Sequence, residues 1–142
     1  NDADALRTAL GRASELYCPD TSRSTAGIHF TGVLRTLGLH ESLSPRLRAY
    51  ANGAQAMAAL AANGARGAIG CTQVTEILYT PGVVLVAALP PPFELSTLYA
   101  LAVTTSVRAS ADARAFAERL TGPSSKALRR TGGFLDHPAR HS

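Results

Sequence analysis

"PDTSRSTAGIHF", Pro19–Phe30, decides how this 142-residue chain is read. Glu15–Cys18 before it has the look of a short strand, which Pro19 stops. After it, Phe30, Val33, Leu34 and Leu37 fall on one face of a helix that ends at Gly38. The stretch is therefore a strand–turn–helix unit whose turn is crowded with Thr21, Ser22, Ser24, Thr25, Ala26 and Gly27. Two readings of that crowding stand side by side. One is a well-capped helix start, worth about 1 kcal/mol. The other is an anion seat, because a helix N-terminus exposes unpaired N–H groups and about half a positive charge. Ala26 and Gly27 would let a ligand approach the backbone, and Ser24 and Thr25 could donate hydroxyl hydrogen bonds.

The same unit recurs along the chain. Leu47–Tyr50 predicts a strand, and Ala54–Ala62 an alanine-rich helix ended by Asn63 and Gly64. Ala68–Cys71 predicts an apolar strand, followed by a short helix that Thr75 caps and that runs through Tyr79. The β-branched run Val83–Ala88 predicts a buried strand, and Leu98–Val103 another. An amphipathic helix opens the chain on Leu6, Ala9, Leu10 and Ala13. Ala113, Phe116, Ala117 and Leu120 mark one begun near Ser110. A last helix follows Pro123 and ends at Gly132 and Gly133. The tail from Leu135 has nothing to bury and reads as loose. This alternation defines an α/β fold, a mostly parallel sheet flanked by helices with right-handed crossovers. Ligands of such sheets gather at the carboxyl ends of the strands. Three loops qualify: the opening turn, "NGAQ" at Asn52–Gln55, and "GCTQVTE" at Gly70–Glu76 with Thr72 and Gln73. Gln73 there either faces a crevice or ties down a neighbouring loop.

Composition narrows the function. Hydrophobic residues at 46% and charged ones at 17% suit a globular domain. Fourteen basic against ten acidic residues leave +4, a mild preference for anions. No run of five basic residues and no basic stripe among aromatics occurs, which argues against nucleic acid. The longest apolar stretch, Val83–Pro92, is too short to span a bilayer, and no signal-peptide pattern opens the sequence. Cys18 and Cys71 lack metal-ligand spacing and read as buried free thiols or as a disulfide pair. No metal or cofactor is called for. His29 lies within a helix, His40 just after it, and His137 and His141 in the tail, none beside a nucleophile. P-loop, G-x-S-x-G and paired-carboxylate patterns are missing, so a binding module is favoured over an enzyme.

With these loops placed, the chain resembles a known group. "DTSRSTAGIHFTGVLRTLG", "NGAQAMAALAANG", "GAIGCTQVTEIL" and "PGVVLVAALPPPFELSTLYALAV" are similar, in order and spacing, to extracytoplasmic solute-binding proteins of the molybdate-type branch, within the type II periplasmic binding fold. The match runs over roughly residues 3–134. It implies a second lobe over residues 1–97, then a crossover strand and two helices over 98–134 that pack on a first lobe not contained here, then a loose tail, 135–142. It further implies a periplasmic or extracytoplasmic substrate-binding component of an ABC-type importer, with a small anion held between lobes, a membrane permease as partner, and lobe closure as the motion. The resemblance also assigns ligand contacts. Ala26 matches a backbone donor to the oxyanion, the turn at Ala54 matches a second, with Gln55 beside it in the docking turn, and Gln73 stands where molybdate binders carry a tyrosine hydroxyl. An amide donates and accepts, so Gln73 suits a carboxylate at least as well. Arg23 at the crevice mouth is either a charge-assisted donor or simply solvated. Apolar faces on the last two helices predict self-association, as a dimer. Alternatives from other classes are an isomerase of small di- or tricarboxylates on the same fold, using His29 or Glu76, and a ligand-sensing domain of a regulator.

Overall fold

Three short parallel strands order the first part of the chain, in a computed structural model that describes residues 2–105 and 110–135. They are β1 (Leu16–Pro19), β2 (Leu47–Tyr50) and β3 (Ile69–Gly70), laid out as β2-β1-β3. Leu16 stands opposite Leu47 on one side and Ile69 on the other. The central strand is buried along its whole length. Pairing with β3 stops after Tyr17 and Gly70. The cause is local: the Cys71 N–H donates to the Tyr17 carbonyl at 2.9 Å, but Pro19 has no N–H to return.

Side chains alternate across a strand, and β1 divides its residues between two cores. Leu16 and Cys18 face α1 (Ala3–Arg12), α2 (Thr25–Thr36) and α3 (His40–Leu43), packing with Leu10, Phe30, Val33, Leu34, Leu43 and Phe93. Tyr17 faces the other way, onto Ala56 and Met57 of α4 (Gly53–Asn63), with Ile77 of α5 (Val74–Tyr79) at the margin. Helices thus cover both faces of a parallel sheet, the α/β arrangement that the periodicities predict. Asp2 caps α1 by accepting the Ala5 N–H at 2.8 Å, and Asn52 caps α4 by accepting that of Gln55 at 2.9 Å. Gly38 and Gly64, at φ of 68° and 59°, take the left-handed turns after α2 and α4.

Polar side chains tie the layers at the opposite end of the sheet. Glu15 accepts from the Tyr17 hydroxyl (2.8 Å), Asn63 Nδ2 (2.7 Å) and Arg48 Nε (3.0 Å). The Tyr17 bond, then those of Arg48 and Asn63, hold the Glu15 carboxyl below its ordinary range, while burial raises the Tyr17 phenol. The Tyr17 ring stacks on Tyr50 with centroids 6.0 Å apart. Arg46 closes the end of α1 by donating to the Ala13 carbonyl at 2.7 Å.

Two expected strands are not formed. Val83–Ala88 shows the alternation of an extended segment, with Val83 and Leu85 half-buried and Val84 and Val86 at 84% and 95% exposure, but it pairs with no strand among the described residues. Leu98–Val103 is exposed and likewise joins no sheet among the described residues. A strand exists only through a neighbour's hydrogen bonds, and apolar patterning alone does not supply one.

The chain divides into two compact units, Asn1–Leu95 and Ser96–Ser142. The second holds α6 (Ser110–Thr121), a 3-10 turn at Pro123–Ser125, and α7 (Lys126–Thr131). Arg129 joins the two helices by donating to the Leu120 and Gly122 carbonyls at 2.7 and 3.1 Å. Tyr99 meets Phe134 edge-on at 5.7 Å. Phe116, Leu120 and Leu128 are exposed. Most of the tail, with His137 and His141, lies outside the described residues. Among the described residues, no helix is long and apolar enough to cross a membrane.

Candidate functional site

Because the three strands run parallel, their carboxyl ends and the loops that follow share one edge of the sheet. The central strand leads through residues 20–24 into α2, β2 leads through Ala51 and Asn52 into α4, and β3 leads through residues 71–73 into α5. Every residue expected at the site lies on this edge: Ser24, Thr25, Ala26 and Gly27 at the start of α2, Ala54 and Gln55 in the first turn of α4, and Gln73 just before α5. Ser24, Ala26 and Gln73 are half-buried, whereas Thr25, Ala54 and Gln55 are exposed.

The hydroxyl-rich turn has an organiser that the sequence reading passed over. Asp20 Oδ1 accepts from the Ser22 N–H (2.8 Å), the Ser22 hydroxyl (2.7 Å) and the Arg23 N–H (3.0 Å), and the Ser24 N–H donates to the Asp20 carbonyl at 3.1 Å. The Ser22 hydroxyl first, then its N–H, with help from Arg23, hold the Asp20 carboxyl below its usual range. Arg23 completes the turn with a 3.5 Å ion pair to Asp20 while its side chain stays 81% exposed. An Asp two residues before a Ser, directly after a strand-ending Pro, is the signal that marks such an Asx-turn.

Gly27 also answers to the chain itself. A Cβ there would run into the backbone carbonyls of Pro19 and Asp20, so its small size lets α2 seat against its own loop. Ser24, at the N-cap position, makes no side-chain capping bond. α2 therefore starts differently from α1 and α4, which Asp2 and Asn52 cap. Ser22 belongs to the turn, and the first turn of α2 remains without a side-chain cap.

The beginning of α4 is furnished from β3's side. A Cβ on Gly53 would meet the Glu76 carboxylate and the Thr72 hydroxyl, and Thr72 donates to Glu76 Oε2. A carboxylate of the chain's own thus lies against the positive end of α4. The Gln55 N–H, an expected ligand donor, is given to Asn52 Oδ1. Gln73 has its own interaction within the protein. His29, in α2, pairs through Nε2 with the Phe93 carbonyl at 2.8 Å, which fastens the segment after Val83–Leu89 to the helix. A shallow depression lined by Arg35, Gly38, His40 and Glu41 lies at the far end of α2.

In open parallel sheets of this kind, ligands bind at the loops that follow the strand ends. A family model described as bacterial extracellular solute-binding protein matches residues 1–135. The chain belongs to that family. Its general role is accordingly substrate binding in transport, at an extracytoplasmic location, and proteins of this family are typically not enzymes. No curated protein and no solved structure gives a significant match.

Proposed function

We propose that the chain is the ligand-binding lobe of an ABC-type importer's solute-binding component of the molybdate type, and that it takes a small anion at the strand-end edge. One observation carries this reading. The helix that leaves the central strand, α2, starts without a side-chain cap, as the short α5 does, whereas α1 and α4 are capped; the Glu76 carboxylate lies against the start of α4, and that of Asp20 is taken up by the Ser22 and Arg23 N–H groups of the turn before α2. An anion on the first turn of α2 would take the place of that missing cap. Oriented backbone N–H groups from Thr25, Ala26 and Gly27 supply positive potential without a lysine. Ser24 and Thr25 add hydroxyls, Ala54 and Gln55 form the flank, and Gln73 completes the polar wall. Gln73 in place of a tyrosine favours an organic carboxylate as much as a molybdate-like oxyanion. Closure of an opposing lobe would bury the ligand, and the closed form is what a membrane permease would recognise.

The isomerase reading gains no support, since the His29 imidazole holds the Phe93 carbonyl and Glu76 is engaged by Thr72 at α4. Exposed Phe116, Leu120 and Leu128 support the proposal of a homodimer through the last two helices. The test is a thermal-shift titration against molybdate, tungstate, sulfate, phosphate, citrate and aconitate. A saturable rise with one anion, lost in Gln73→Ala, is expected. A rise that survives Gln73→Ala unchanged would move the site elsewhere.

A further inference from the structure

Cys18 and Cys71 take no part in the strand-end loops, yet the fold sets them side by side. β1 and β3 run parallel with Leu16 opposite Ile69 and Tyr17 opposite Gly70. One residue further on, the 2.9 Å bond from the Cys71 N–H to the Tyr17 carbonyl keeps that register and places Cys71 opposite Cys18. Both side chains lie on the face of Leu16 and Ile69, and both pack in the same apolar core. Adjacent strands are about 4.8 Å apart, which falls within the Cα separations that disulfides bridge, roughly 4.4–6.8 Å. Both thiols are free in this structure. The family is extracellular, and disulfides persist outside the cytoplasm.

We propose that Cys18 and Cys71 are joined by an intramolecular disulfide in the working protein, tying the central strand to β3 directly beneath the candidate site. The oxidant is another disulfide, on a small molecule or on a thiol oxidoreductase. One cysteine loses its proton and its thiolate attacks the oxidant, forming a mixed disulfide and expelling one thiolate. The other cysteine, deprotonated in turn, attacks the protein sulfur of that mixed disulfide, closes the Cys18–Cys71 bond and expels the second thiolate. The two cysteines give up two electrons and two protons, and the oxidant leaves as two thiols.

The environment sets the timing. Burial pushes the Cys18 thiol up to about 11, and burial with the neighbouring Cys18 pushes Cys71 up to about 12. The thiolate is the attacking form, so the folded, reduced chain exchanges slowly. The bond closes while the chain folds, before the sheet is covered and Cys18 is buried.

The test starts from the full chain, unfolded and reduced, and refolds it in a mixture of oxidised and reduced glutathione. The product is unfolded again in an alkylating agent without reductant and weighed. The expected product carries no alkyl group, weighs two hydrogen atoms less than the reduced chain, and yields a peptide pair joining Cys18 to Cys71. Its melting temperature should exceed that of the reduced protein by several degrees, a gain that Cys71→Ser cannot show. Alkylation of both cysteines, glutathione adducts, or a bond between two chains would each overturn the proposal. Reduced protein folded first and then given the same mixture should cross-link at least tenfold more slowly; an equal rate would overturn the timing.

Discussion

Two glycines of one helix should respond to the same substitution with opposite signs. Gly27 and Gly32 both lie in α2, but a Cβ at Gly27 would collide with the backbone carbonyls of Pro19 and Asp20, while one at Gly32 meets nothing within 4 Å. Replacing glycine by alanine in a helix gains about 0.5–1 kcal/mol of backbone entropy. At Gly32 that gain is realised whole, so Gly32→Ala stabilises by about that amount. At Gly27 the obstacle is main chain, which cannot swing aside as a side chain can, and overpacking of this kind costs about 1–3 kcal/mol. The cost exceeds the gain. For a unit of this size each kcal/mol corresponds to about 4–8 °C in melting temperature. Urea titrations followed by circular dichroism give the comparison: the midpoint should fall for Gly27→Ala and rise for Gly32→Ala, with the slope unchanged. A Gly27→Ala protein as stable as the parent would refute the close seating of α2 on its own loop.

Other consequences follow from the same geometry. The lowered pKa of Asp20 stabilises the fold above the ordinary carboxylate value of about 3.9, and that contribution is lost as pH falls through the folded-state value. Melting temperatures from pH 6 down to pH 2.5 should therefore show Asp20→Asn below the parent at the upper end, with the gap closing at the lower end; a gap that widens in acid would contradict the assigned direction. Glu76 places a negative charge beside an anion site, so Glu76→Gln should tighten binding of whichever anion shifts the melting curve, by several-fold at low salt. Titration calorimetry at two ionic strengths checks this, and weaker binding would make Glu76 a supporting group instead. Phe116→Asp with Leu128→Asp should convert a dimer to a monomer in light scattering, and an unaltered mass would remove α6 and α7 from the interface.

Local chemistry made most of the first unit legible. Asp2, Asn52, Gly38 and Gly64 mark helix limits by capping, and Pro19 marks the end of β1; each acts within a few residues of itself. The short helix α5 starts at Val74, one residue before the expected cap, Thr75. Pairing was less legible. Val83–Ala88 has the residues of a strand, but whether a strand forms depends on a neighbour that the segment does not encode. The site shows the same division. Its loops were legible because parallel strands place every following turn on one edge. The approach of Glu76 to Gly53 was not, because it depends on how α5 settles against α4. Asp20 was legible in principle, since its pattern is short, and the hydroxyls around it drew the reading toward a ligand. Gly27, read as room for a ligand, is also room for the Pro19 and Asp20 carbonyls.

The claim that an anion sits on the first turn of α2 is tested most directly by its backbone amides. Nitrogen-15 spectra of the labelled chain, recorded across a titration with the anion that shifts the melting curve, report every N–H separately. The account predicts saturable downfield shifts largest at Thr25, Ala26 and Gly27, smaller ones at Ala54 and Gln73, and little change at Gln55, whose N–H already serves Asn52. Shifts centred instead on Arg35, Gly38, His40 and Glu41, at the other end of the helix, would contradict it.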